Sequence, residues 1–163
     1  MTLKLSRIVL TGVFAVGVAL SFSVSDSKAA GHGKAIDLGK MAVNDGLAKS
    51  LTGKAGDPKK GYATAIHRKK GNCLACHTFP AKGQADHGNI GPDLRGVASR
   101  YSEAELRLRI VDPKVVNEDT IMPSFYKTAG LHRVQKKWAG KTMLSAQEVE
   151  DIVAYLLTLK EEK

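Results

Sequence analysis

Apolar residues recur every three or four positions in several stretches of this 163-residue chain. Val149, Ile152, Val153, Leu156, Leu157 and Leu159 follow the spacing of a helix with one buried face. Ser145-Ala146-Gln147-Glu148 just ahead of them is a capping box and marks the helix start. A second box, Ser102-Glu103-Ala104-Glu105, opens a helix through Leu106, Leu108, Ile110 and Val111, which Asp112-Pro113 ends. Asp57-Pro58 begins a third, with Asp as N-cap and Pro at the first helical position. It is predicted to run through Lys60, Tyr62, Ala65 and Ile66 to about Lys70, with Gly61 permitting close helix contact. The weaker periodicity from Gly31 to Leu51 predicts a leader packed loosely on the outside. No segment alternates with period two, and there are no internal repeats. The chain therefore reads as all-α. Its loops are long: Thr78 to Asn89, and the stretch after Pro113 that contains Met122-Pro123. Loops of that length in a small domain call for a task, such as wrapping a bound group.

The first residues carry a different pattern. Lys4 and Arg7 precede an uncharged apolar run from Ile8 to Val24, and Ser27-Lys28-Ala29 is a small-x-small cleavage site. This predicts an export signal over residues 1–29, an N-terminal extension over 30–56 and one folded domain over 57–163. The apolar run sits at the lower edge for a membrane anchor, which is the alternative to cleavage. With the signal removed, no membrane association is expected and the location is periplasmic. Aromatic content is only 6%, so the small domain has little core of its own. The net charge is +9, and no nucleic-acid motif accompanies it.

The only two cysteines lie in Gly71-Asn72-Cys73-Leu74-Ala75-Cys76-His77. C-x-x-C-H is the attachment signature of a c-type haem: the thiols reach the two porphyrin vinyl groups, and His77 presents an imidazole to the iron. A disulfide, a thioredoxin-like redox pair and a zinc site are the competing uses of these cysteines. A thioredoxin-like pair belongs in an alternating strand–helix chain, and the histidine spacing departs from zinc patterns. The second axial ligand is best sought on a downstream loop. Met122 fits, because Pro123 fixes its backbone and Ile121 helps to exclude water; Met143, Met41, His67, His87, His132 or an open position remain alternatives. Met143 also suits packing under the last capping box. The turn Gly91-Pro92-Asp93-Leu94 could offer a backbone carbonyl to orient the ring of His77. His67-Arg68-Lys69-Lys70 and a second group, Lys127, Arg133, Lys136, Lys137 and Lys141, are either solvated basic faces or partner-steering charge. Trp138 reads as a core residue, with an N–H that a haem propionate could use.

The order of helix, C-x-x-C-H, Gly-Pro-x-Leu turn, methionine loop and terminal helix resembles the class I cytochromes c. Several segments sharpen this to the SoxX family, the monohaem subunits of the Sox thiosulfate-oxidising system. They are Leu51 to Asp57, Gly71 to His77, Arg107 to Asp112, Thr120 to Tyr126 and Gln147 to Leu156. The resemblance implies a class I cytochrome c fold and one covalently attached haem c. It implies that Cys73 and Cys76 are thioether sites, that His77 and Met122 are axial ligands, and that Pro92 supplies the carbonyl to His77. Gly61 and Tyr155 would sit where the first and last helices cross. The implied partner is a larger SoxA-type cytochrome subunit that couples thiosulfate to a cysteine of a carrier protein. This chain would then be the non-catalytic electron-accepting subunit of an L-cysteine S-thiosulfotransferase, passing electrons to an acceptor such as a small cytochrome. A free electron-shuttling cytochrome c is the alternative role.

Overall fold

The computed structural model describes residues 46–161; the predicted export signal and most of the leader lie outside them. Among the described residues there are four α-helices and no strand: α1 (Pro58–Ile66), α2 (Val97–Arg100), α3 (Glu103–Val111) and α4 (Ala146–Leu156). Short 3-10 turns at Cys73–Ala75, Pro113–Val115 and Lys136–Trp138 punctuate the loops.

The caps act as the sequence predicts. Asp57 accepts from the amides of Lys59 and Lys60 at the start of α1. Ser102 with Glu105, and Ser145 with Glu148, close both predicted capping boxes. The first helix is shorter than its pattern, ending at Ile66 instead of about Lys70. The Thr64 carbonyl there accepts from both His67 and Gly71, curling the chain toward the cysteines. Asn72 completes that bend at φ +49°, a left-handed conformation Asn tolerates.

Helices α1 and α4 cross in close contact. A Cβ on Gly61 would lie 1.9 Å from the carbonyl oxygen of Asp151, so only glycine permits this approach. Tyr155 stands at the same crossing, its ring edge-on to Tyr62 at 5.4 Å and to Phe79 at 6.0 Å. The Asp57 amide donates to the Asp151 carboxylate at 2.9 Å, which secures the start of α1 to α4.

Helix α3 is tied to α4 by a buried ion pair. Arg107 reaches both carboxylate oxygens of Glu150, at 3.0 Å from Nε and 2.9 Å from Nη2, and also pairs with Glu103. Its Nη1 donates to the Leu47 carbonyl at 2.8 Å. Burial disfavours the Arg107 charge, but the two carboxylates outweigh it and push its pKa up. The end of the leader therefore departs from the expected loose packing. Leu47 is fully buried, and its amide donates to Ala104. Trp138 departs too: it is half-buried on a 3-10 turn, with Lys137 Nζ 5.7 Å from its ring, and is not part of the core.

Candidate functional site

The long loops and all four helices line a cavity of about 630 Å³, within the usual range for ligand sites. Its wall brings together Cys73, Cys76, His77, Pro92, Met122 and Met143, residues drawn from opposite ends of the chain. Leu94, Val97, Leu106, Ile110, Phe125 and Leu156 make most of the remaining wall apolar.

The cysteines sit on a 3-10 turn whose start is the left-handed Asn72. They are not joined in a disulfide. Burial pushes the Cys73 thiol up to about 11, so it stays protonated at neutral pH. A reactive thiolate needs the reverse, a lowered pKa, so Cys73 is not set up as a nucleophile. Among the described residues, no group of three or more His, Cys, Asp or Glu side chains is arranged to hold a metal ion, which leaves the zinc alternative without a ligand set.

His77 is fixed in its orientation. Its Nδ1 lies 2.7 Å from the carbonyl oxygen of Pro92. A carbonyl can only accept, so Nδ1 carries the proton and Nε2 keeps its lone pair for another partner. Gly91 presses on the same ring: a Cβ there would lie 2.4 Å from His77 Cε1 and 2.6 Å from Nδ1.

Met122 lies on the far stretch of loop, partly buried against the core. Its amide donates to the Thr120 hydroxyl at 3.2 Å. The loop is tied down on either side. Asp112, buried at the end of α3, accepts from Ser124 at 2.7 Å and from Lys127 at 2.6 Å. Lys114 donates to the carbonyls of Glu118 and Thr120, both at 2.8 Å. Phe125 and Tyr126 donate their amides to Ile110 and Val111. Met143 lines the cavity with 40% of its surface exposed, so it does not pack under the last capping box. Leu144, directly before the Ser145 cap, is the buried residue there.

His67, His87 and His132 do not line the cavity. His87 bridges its own loop, accepting from the Phe79 amide and contacting the Gln84 carbonyl. Met41 lies outside the described residues. Of the basic groups, Arg68, Lys69 and Lys70 edge the cavity, whereas Arg133, Lys136, Lys137 and Lys141 do not. Sequence reasoning missed Arg109 and Tyr101, which also line it, with the guanidinium 4.2 Å above the tyrosine ring. The signal was a cation on the helical stripe of Leu106 and Ile110.

These residues suit a covalently held porphyrin. Two thiols stand on the wall of a largely apolar cavity, and beside them is an imidazole with one nitrogen anchored and the other free to ligate. No helix among the described residues is long and apolar enough to cross a membrane.

The comparisons with known proteins point the same way. The cytochrome c family model matches residues 59–160. A chain in the crystal structure of SoxXA from P. pantotrophus is similar at 38% identity and a TM-score of 0.67, covering 73% of this chain and 93% of that one. An uncharacterized lipoprotein of Aquifex aeolicus (strain VF5) is 32% identical over 115 residues, 62% of this chain. That match spans about half, 49%, of the lipoprotein's own length. The chain, all-α and carrying a covalently bound haem c, belongs to the cytochrome c family.

Proposed function

We propose that this chain is the monohaem electron-transfer subunit of a SoxAX-type thiosulfate-oxidising complex. The observation that carries the reading is the meeting of Cys73, Cys76, His77 and Met122 on one cavity wall, in a chain 38% identical to part of SoxXA. In it, Cys73 and Cys76 would hold the porphyrin through thioethers, and His77 Nε2 and the Met122 sulfur would ligate its iron. The Pro92 carbonyl would hold the His77 ring in register, with Nε2 turned to the iron. Asp112, Ser124 and Lys127 keep the Met122 loop from swinging away.

Haem bound in this way supplies one-electron exchange at iron. A thioether ligand from Met122 beside the His77 imidazole would raise the potential, which suits electron transfer. The chain then accepts electrons from a SoxA-type partner, where thiosulfate is coupled to a carrier-protein cysteine, and hands them to a small acceptor. The signal over residues 1–29 delivers it to the periplasm, and residues 30–56 form an extension ahead of the haem domain. Burial of Leu47 beside α3 supports treating the end of that extension as part of the folded unit.

Co-purification from thiosulfate-grown cells with a haem stain tests this reading. A haem-bearing heterodimer is expected, reduced by thiosulfate only when the partner is present. Rapid reduction of the isolated chain by thiosulfate would refute the subunit role. Met122→Ala is expected to remove the methionine-to-iron charge-transfer band of the oxidised protein and lower its potential. An unchanged band would move the ligand to Met143.

A further inference from the structure

One donor in the cavity wall has no partner among the described residues. Arg109 Nη1 is shut off from solvent and makes no hydrogen bond. Its guanidinium is stacked over Tyr101, Cζ 4.2 Å from the ring centroid. Stacking covers a face of the group but satisfies none of its N–H donors, which lie in its plane. A buried charged donor left in this state is strongly unfavourable unless something pairs with it. The wall itself offers nothing. Five cationic side chains line the cavity, Arg68, Lys69, Lys70, Arg100 and Arg109, and no Asp or Glu does. Arg100 is already engaged with the carbonyls of Arg95 and Asp93, at 2.8 and 2.7 Å. Glu105, one turn back on α3, interacts with the Arg109 charge but makes no hydrogen bond to Nη1. The bonding partner of Nη1 is left to the occupant, and a haem carries two propionates.

We propose that Arg109 anchors one haem propionate, donating from Nη1 to a carboxylate oxygen and keeping that propionate ionised across the neutral range. This rests on the haem c assignment and not on which residue is the second axial ligand. Pairing with a guanidinium lowers a carboxyl's pKa, whereas an apolar wall alone raises it. With the ion pair intact, the iron takes up its electron without a proton. With Arg109 neutralised, the propionate is protonated in the reduced protein and ionised in the oxidised protein over a span of pH. One proton is then taken up with each electron.

The other ionisable groups at this end are few. Tyr101 and Arg100 come from α2 and the residue after it, with the Asp93–Arg95 pair beyond them. Glu105 lies one turn back on α3, and its carboxylate is engaged by the Ser102 amide and hydroxyl, each at 2.8 Å. The Met122 loop contributes Asn117, Thr120 and Ile121, none of them ionisable. Across the cavity stand His77, the two cysteines, Tyr155 and the Arg68–Lys70 edge.

Redox titration of the holoprotein between about pH 6 and 8 tests the proposal, after a haem stain has shown that each sample is loaded. Wild type and R109K are expected to hold a level potential. In R109Q the oxidised-to-reduced ratio at a fixed applied potential is expected to rise with pH by up to about tenfold per unit. R95Q, the same charge change outside the cavity, is expected to match wild type. A level profile in loaded R109Q overturns the proposal. Should R109Q fail to take haem, wild type carrying porphyrin labelled with carbon-13 at its carboxylates decides. One carboxyl signal is expected to stay ionised below about pH 4, under the ordinary carboxylate range. Titration of both signals above that pH overturns the proposal equally. An unloaded wild type would instead refute haem binding itself.

Discussion

Gly91 is the residue with the least room to change. A methyl group there would lie within 2.4 Å of the His77 ring, which is already held against Pro92. Gly91→Ala must push the imidazole off its carbonyl or displace the turn. We expect a loss of about 1–3 kcal/mol of holoprotein stability together with a shifted visible spectrum. Thermal unfolding of the variant followed at a haem band checks both, and a wild-type melt with a wild-type spectrum would contradict the contact. At this scale the sequence was most readable where chemistry is packed into residue types at short spacing. Cys73, Cys76 and His77 needed only their order, whereas Met122 and Met143 both reach the cavity wall and the proline beside Met122 does not choose between them. Arg109 stayed hidden because its importance lies in a missing partner, a property of every element around it. Trp138 misled for a similar reason: its type suggests burial, while its neighbours in the 3-10 turn leave it half outside.

Among the elements, the segment after α3 shows how a loop is made firm enough to present Met122. Burial pushes the Asp112 carboxyl up, but the bonds from Lys127 and Ser124 outweigh it and hold its pKa below the ordinary range. A carboxyl depressed in the folded state gives stability that is fully present above its unfolded pKa, about 3.9, and is lost as pH falls through the lower folded value. Acid should therefore free the Met122 loop below about pH 4. Asp112→Asn should weaken it already at neutral pH, by roughly 1–3 kcal/mol. Acid titrations of the methionine-to-iron band in both proteins measure this; identical acid midpoints would remove Asp112 from the account. The helices themselves were legible through their caps, which are local hydrogen-bonding patterns. The end of α1 was not. Nothing in His67-Arg68-Lys69-Lys70 stops a helix, and the stop comes from the need to return Gly71 to the Thr64 carbonyl. The leader was misjudged likewise, since the backbone of the buried Leu47 is bonded to Ala104 and Arg107, which lie far along the chain.

For the whole molecule, charge and shape combine at the cavity mouth. Arg68, Lys69 and Arg100 line it together with the exposed apolar side chains of Ile90 and Ile121, while Lys70 is paired with Glu148. A positive rim around a redox centre accelerates encounter with an acidic partner, and salt screens it. The association rate with the partner cytochrome is expected to fall at least about tenfold between 0.01 and 0.15 M ionic strength. Stopped-flow mixing reads this directly; a flat profile would reduce these residues to a solvated surface. The all-α class was evident from the lack of any two-residue alternation. The crossing of α1 with α4 was not present in any local pattern and came only from likeness to a family, because no periodicity records which distant segments meet.

That crossing has a consequence for how the chain can vary. The Asp57–Asp151 bond joins positions 94 residues apart, and most of what lines the cavity lies on the chain between them, from Ala65 on α1 onward. In polymer terms it closes a ring, and the entropy lost in closing a ring grows only with the logarithm of its length. Doubling the enclosed chain would add only about 0.6 kcal/mol. The exposed loops around Gly83 and Gly130 can thus gain or lose residues almost without thermodynamic effect, whereas one methyl group at Gly61 would force the ring open.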